Sequence, residues 1–312
     1  MNICVIYDID GVLIDVRDSF HQAIKDTISL YLEKILQISV PECFVTDKDI
    51  SAFKNLGGFN DDWDVTAGIL YYLVSLLDED NKGILAKDIF GFVEKCRGTG
   101  LEAILKATQN KNGDKVSFDK SPVEVDQIHP KNQVKRIFQQ IYWGAAEFEH
   151  IYGESPQYYS GEGVIKKEKL IMPVDFLENL KNKGIHLAIA TGRERTDALY
   201  SLEKFGLLSF FETIVTLTDV GEDYKKPDPK SLFFLEQYFQ QQGLEDISFY
   251  YLGDQLDDMQ MVLDAEDHMD VTQIGFFIEK DANKEKKMRD LGVEHFFQQH
   301  DQLLGLLFSN KD

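Results

Sequence analysis

Apolar residues change their period between the ends of the chain and its middle. Residues 2–9 run almost continuously apolar and end in acids, and similar short runs recur at 185–190, 213–217, 248–252 and 271–277. Runs of this length, bounded by polar residues, read as buried strands. Between them the spacing is helical. Val174, Leu177 and Leu180 follow Pro173 on one face, Thr196 opens a helix that Gly206 can end, and Asp228-Pro229 reads as an N-cap followed by proline at the first helical position, with Gly243 as the stop. Strands alternating with helices predict an α/β fold, a doubly wound, mostly parallel Rossmann-like sheet covered on both faces, with ligands at the carboxyl ends of the strands.

The middle of the chain lacks such strand runs. Phe20, Ala23, Ile24, Ile28, Tyr31, Leu32 and Ile35 form one apolar helix face; Val65, Ile69, Leu73 and Leu76 form a second; Val134, Ile137, Phe138, Ile141 and Tyr142 form a third. Residues 110–130 are polar, hold two prolines and read as a long loop, and residues 153–163 read as a return linker. The expected division is residues 1–16 with 169–312 as the sheet domain, and residues 17–168 as an inserted all-helical domain. No internal repeat interrupts this pattern.

Composition narrows the partners. The chain has 312 residues, enough for a large domain or two ordinary ones, and is 43% apolar and 28% charged, as globular chains are. No stretch approaches the roughly 20 apolar residues of a membrane span, and the N-terminus enters a strand pattern without a secretory signal. A net charge of −21 disfavours nucleic-acid backbones and anionic lipid surfaces as partners. An anionic substrate would therefore need local positive charge from a metal and a few basic side chains. Cys4, Cys43 and Cys96 fit no zinc or redox spacing. A reduced, cytoplasmic setting is the simplest reading. The seven histidines show no ligand spacing, and His186 reads as a strand residue.

Four features at strand ends carry candidate chemistry. Asp8-Ile9-Asp10-Gly11 closes the first strand: acids at i and i+2 on an extended chain point the same way, so one can attack while the other handles a proton, and Gly11 lets the backbone approach an anion. Thr191-Gly192-Arg193 offers a hydroxyl and backbone amides at another strand end, suited to a phosphate oxygen. Lys225-Lys226-Pro227 can send a lysine into the same crevice as a point charge on phosphate. Gly253-Asp254-Gln255-Leu256-Asp257-Asp258 clusters three carboxylates, which repel one another unless a cation neutralises them. Hard oxygen donors without His or Cys suit Mg²⁺. Each feature alone has a bland reading, as an acidic loop, a turn, a surface lysine or a helix cap.

Together and in this order, the four motifs resemble those of the haloacid dehalogenase superfamily: Asp-x-Asp-Gly, a strand-end Thr or Ser, a Lys commonly followed by Pro, and an acidic Gly-Asp loop. The helical insertion after the first motif resembles that superfamily's helical cap, which marks its subfamily I branch. The resemblance implies a Mg²⁺-dependent phosphatase acting on a small phosphorylated metabolite, such as a sugar phosphate. By it, Asp8 attacks phosphorus and Asp10 is acid and then base. Gly11, Thr191, Gly192 and Lys226 hold phosphate. Asp8, the Asp10 carbonyl and Asp254 hold the metal, with Asp258 or Asp257 acting directly or through water. Lys226 fits the motif because it directly precedes Pro227; Lys225 is the alternative. Arg193 departs from many relatives, in which a small polar residue follows, and is a candidate substrate contact or a partner of Glu194 or Glu222. In the helical insertion, Lys54, Gly57, Gly58, Phe59, Asn60 and Trp63 resemble a substrate-specificity loop, the alternative being an inter-helix turn with Trp63 packed beneath. A phosphomutase would share every catalytic motif, a dehalogenase would generally lack Asp10, and an inactive binding protein would be expected to have lost Asp8.

Overall fold

Eight strands occur among the described residues: β1 (Asn2–Tyr7), β2 (Ile14–Asp15), β3 (Lys169–Leu170), β4 (His186–Ala190), β5 (Thr213–Val215), β6 (Ile247–Gly253), β7 (Val271–Phe276) and β8 (His295–Phe297). The computed structural model describes residues 2–59, 61–78, 80, 83–84, 86–119, 128–129 and 131–308. Six strands form one parallel sheet in the order β5-β4-β1-β6-β7-β8. The fold is α/β with a mostly parallel sheet, as the alternating pattern predicts. β2 and β3 pair antiparallel where the chain leaves the sheet unit and returns to it.

The chain divides into two compact units, one of Met1–Asp15 with Lys169–Asp312 and one of Val16–Glu168. In the first, β1 is central and its residues Cys4 to Tyr7 are fully buried, which is why it reads as a continuous apolar run and not as an alternation. Helices Val174–Asn182, Arg195–Lys204, Lys230–Gln241, Leu256–Ala265 and Ala282–Asp290 connect the strands. Leu232, Leu235 and Phe239 of one helix and Met259, Met261 and Val262 of another share a core cluster with Cys4, Ile6, Phe249 and Tyr251. After β1 the chain adds strands on one side through β4 and β5, then on the other from β6 onward. That reversal puts the switch point of the sheet at the carboxyl ends of β1 and β6, beside β4.

Two details differ from the sequence pattern. β8 and the β2–β3 pair are only two or three residues each, too short for a period to register. At the helix Lys230–Gln241 the backbone places Pro229 at the N-cap, while the Asp228 carboxylate accepts from the Lys230 amide at 2.9 Å.

The second unit is helical. Its helix Asp62–Ser75 is buried on nearly every side, from Trp63 to Leu70 and from Tyr72 to Val74. A helix apolar all round belongs at the centre of a bundle; Val65, Ile69 and Leu73 are therefore part of a wider buried surface than one stripe. It packs with Gln22–Leu30, Asp47–Lys54, Gly100–Ala107 and Gln133–Trp143. Phe20 stacks on Tyr142 with ring centroids 4.6 Å apart. In the expected loop, residues 120–127 and 130 lie outside the described residues. No helix among the described residues is long and apolar enough to cross a membrane.

Candidate active site

The register of the sheet brings the motif residues together. Tyr7 pairs with Ile189 on β4 and with Leu252 on β6, so the next residues of all three strands emerge at the same edge. Asp8 continues from β1 and its amide donates to the Leu252 carbonyl at 3.0 Å. The chain then turns sharply, with the Leu13 and Ile14 amides both donating to the Ile9 carbonyl.

Asp8 is almost wholly buried. Its Oδ1 accepts the Ile9 amide at 2.8 Å and lies 3.1 Å from Lys226 Nζ. Burial pushes its pKa up to about 7; Lys226 works against that rise, and Asp258, Asp10 and Asp254 add to it. Lys226 Nζ also donates to Asp258 Oδ1 at 2.7 Å and to the Tyr251 hydroxyl at 2.8 Å. Burial opposes the Lys226 charge, but Asp258 and Asp8 outweigh it and the ammonium is held above its ordinary range.

Asp258 is buried and ties this cluster to the acidic loop. Its Oδ1 takes Lys226 and the Tyr251 hydroxyl, the latter at 2.9 Å, and its Oδ2 takes the amides of Asp254 and Gln255 at 3.0 and 2.9 Å. The same carboxylate thus caps the helix Leu256–Ala265 and fixes the lysine. Asp254 Oδ2 accepts from Gln255 Nε2 and from Lys284 Nζ, 3.2 Å away. Ligand oxygens of Asp8, Asp254 and Asp258 lie within 4.8 Å of one another, an arrangement able to hold a metal ion. Gly11, at φ +71°, passes so close to Asp254 that a Cβ there would meet its Cγ at 2.7 Å.

Thr191 is buried at the end of β4, its amide donating to the Val215 carbonyl and its Oγ1 accepting from the Arg193 amide at 3.3 Å. Gly192 lies in the turn between them. Lys225 faces elsewhere, 3.9 Å from Glu222.

The remaining candidates sit differently from their expected roles. Arg193 is not presented as a substrate contact: its side chain is 2% exposed, and it donates to Asp10 Oδ1 and Ser201 Oγ. Phe59 and Trp63 are nine-tenths buried inside the helical unit. Phe59 lies against Gly68, and Trp63 meets Phe138 edge-on with Lys135 Nζ 4.2 Å from its ring centroid. The paired glycines approach the chain itself: the Gly100 amide donates to the Gly57 carbonyl at 2.8 Å, and a Cβ on Gly58 would meet the Gly100 nitrogen at 3.0 Å. Lys54 pairs with Asp62 at 2.7 Å. Asn60 lies outside the described residues. Tyr251, Ser201 and Lys284 join the site with no sequence motif to mark them. Tyr251 reads only as a strand residue, and Lys284 belongs to a lysine-rich helix.

A family model described as haloacid dehalogenase-like hydrolase matches residues 165–268. Over 59 residues the chain is 41% identical to Pyrophosphatase PpaX of Bacillus pumilus (strain SAFR-032), a stretch that is 19% of this chain and 27% of that protein. The chain thus matches little more than a quarter of the length of this curated relative. A solved structure, a Northeast Structural Genomics Consortium target, aligns over 98% of both chains with a TM-score of 0.64 at 20% identity. A predicted phosphoglycolate phosphatase from Haemophilus somnus 129pt aligns over 98% of both chains with a TM-score of 0.52 at 14% identity. Those two share the fold. The matched stretch, residues 165–268, resembles haloacid dehalogenase-like hydrolases.

Proposed function

We propose that the chain is a Mg²⁺-dependent phosphatase of small phosphorylated metabolites, working through an aspartyl-phosphate on Asp8. The observation that carries this reading is the contact of a buried carboxylate, Asp8, with the ammonium of Lys226, with ligand oxygens of Asp8, Asp254 and Asp258 within 4.8 Å. The donor set fits the metal: all are hard oxygens, and the neighbouring acids raise the Asp8 pKa as uncompensated like charges do. Asp8 and Asp254 would be the carboxylate ligands and Asp10 would offer its main-chain carbonyl. Asp258, whose two oxygens already serve four donors, would support them from behind or through water. The bound metal would supply charge neutralisation at the phosphoryl oxygens.

Asp8 Oδ1 is held by the Ile9 amide and Lys226, which leaves Oδ2 to attack phosphorus. The bond from phosphorus to the ester oxygen breaks, and Asp10 gives that oxygen a proton. Asp10 then takes a proton from water as the water attacks the phosphoryl group, releasing inorganic phosphate and restoring Asp8. Lys226 balances charge on Asp8 and on the transferring group, and Thr191 and Gly192 contribute a hydroxyl and amides to the phosphoryl oxygens. A metabolite-sized substrate agrees with two of the proteins the chain resembles, a pyrophosphatase and a predicted phosphoglycolate phosphatase.

The test is phosphate release from p-nitrophenyl phosphate and a panel of sugar and carboxylic-acid phosphates, with Mg²⁺ and with EDTA. Turnover that EDTA stops and Mg²⁺ restores supports the reading; undiminished turnover without metal, or none on any ester, contradicts it. Stoichiometric phosphate separates hydrolysis from the intramolecular transfer of a mutase.

A further inference from the structure

We infer that Arg193 is a positioning residue for Asp10, fixing which carboxylate oxygen carries the proton given to the leaving group. The inference rests on the phosphatase reading above. Arg193 Nε and Nη2 both reach Asp10 Oδ1, at 2.7 and 2.6 Å. An oxygen that accepts two N–H groups of a cation has no room for a proton of its own, so the transferable proton belongs to Oδ2.

The far side of the guanidinium is anchored. Nη1 donates to Ser201 Oγ at 2.7 Å and reaches the Asp197 carbonyl at 3.4 Å, both in the helix Arg195–Lys204. The Arg193 backbone is pinned too, its amide to Thr191 Oγ1 and its carbonyl to the Leu217 amide at 2.9 Å. The fork therefore cannot follow Asp10 if that side chain rotates; it holds the carboxylate plane in place. A lysine would offer one point charge and could not bond Asp10 and Ser201 from a fixed plane.

Stability alone does not account for this arrangement. Buried ion pairs often contribute no more than apolar residues of the same volume, because desolvation offsets the attraction. Here the Arg193 side chain is 2% exposed, whereas its partner Asp10 keeps 32% of its side-chain surface. The cation is buried behind a carboxylate that stays accessible, which is the geometry of a support under a working group.

The test compares kcat/KM on two esters, 2,4-dinitrophenyl phosphate, whose leaving group needs no proton, and phenyl phosphate, whose leaving group does. kcat/KM reports the steps up to formation of the aspartyl-phosphate, so the later water step does not blur it. Arg193→Ala is expected to lose on the order of 100-fold more on phenyl phosphate than on the dinitrophenyl ester, the lower end of what general acid catalysis contributes. Added guanidinium ion should restore part of the phenyl phosphate rate only. Arg193→Lys, which keeps the buried charge if the alanine variant does not fold, should show the same inequality at smaller size. Equal losses on the two esters, or no loss, would overturn the inference while leaving the phosphatase reading standing. A wild-type enzyme inactive on these two esters and on every metabolite ester of the panel would overturn both.

Discussion

The strand-end cluster and the turn before helix Asp62–Ser75 are both conspicuous in the sequence, and they use their residues in opposite ways. In the first, residues from positions 8, 10, 193, 226, 254 and 258 meet across the sheet edge, and opposite charges contact one another: Lys226 with Asp8 and Asp258, and the buried Arg193 with the more accessible Asp10. In the second, the contacts stay within the helical unit and brace the turn: Phe59 on Gly68, Gly57 on Gly100, Lys54 with Asp62. Buried charge is costly unless paired and hydrogen-bonded. The aromatic turn also holds buried acids, Asp61 and Asp64, and the Lys54–Asp62 pair; among the described residues it is the convergence of Asp8, Asp254 and Asp258 that could hold a metal ion, and this marks the strand-end cluster as the place where chemistry outweighs stability.

Removing the proposed nucleophile tests this contrast most sharply. Asp8→Asn is expected to lower phosphate release by about 10⁴-fold or more, as loss of a covalent nucleophile does, without lowering Tm, since it deletes a buried carboxylate already repelled by three acids. A variant with near-normal turnover would place the attacking group elsewhere. Next in size, Trp63→Ala should cost about 3–5 kcal/mol in denaturant unfolding, with turnover of p-nitrophenyl phosphate by the folded protein changed less than about tenfold. Large activity loss with unchanged stability would instead put Trp63 at the substrate.

Each unit also holds a buried histidine whose pKa is lowered to about 4. Burial is the main cause for both, followed at His21 by the nearby Lys54 and opposed at His300 by its bond to the Val12 carbonyl. The unfolded chain takes up these protons near its ordinary pKa of about 6.5, the folded chain only near 4. The stability these groups contribute is therefore full above pH ~6.5 and falls as pH drops toward ~4, by about 3 kcal/mol per histidine, because each tenfold weakening of proton binding is worth about 1.4 kcal/mol. His300→Gln and His21→Gln should each flatten the slope of unfolding free energy across that pH range; an unchanged slope in both would contradict the assignment.

The smallest effect on stability separates the two regions most cleanly. Gly11 and Gly58 sit at φ +71° and +70°, so alanine costs about 1–2 kcal/mol at either. Gly11→Ala also drives a methyl into Asp254 and should weaken Mg²⁺ activation, read as a rise in the Mg²⁺ concentration giving half-maximal rate. Gly58→Ala should leave that concentration unchanged. Equal shifts in both would erase the distinction.

What can be read from sequence follows the same divide. Strands fix direction, so an acid after β1 and one after β6 must emerge on the same edge, and Asp8 and Asp254 become visible once the four motifs are taken together in order. Tyr251 is not, because a tyrosine in a buried strand has no pattern separating one that packs from one that bonds Lys226 and Asp258. Lys284 is not, because it comes from a helix after β7 with nothing to mark which of its lysines turns inward. Arg193 is visible, but its role is not: sequence shows a charge near phosphate chemistry, and only burial shows that it serves Asp10. Phe59 and Trp63 illustrate the converse, since an aromatic beside two glycines suits a ligand and a core equally well.

The most direct measurement is anomalous diffraction from a crystal soaked in Mn²⁺, which substitutes for Mg²⁺ at oxygen sites. The expected result is one strong peak within coordinating distance of Asp8 and Asp254, lost in an Asp254→Asn crystal. A peak bound elsewhere, or none at these two carboxylates at saturating Mn²⁺, would contradict the convergence of the first and last motifs on a single cation.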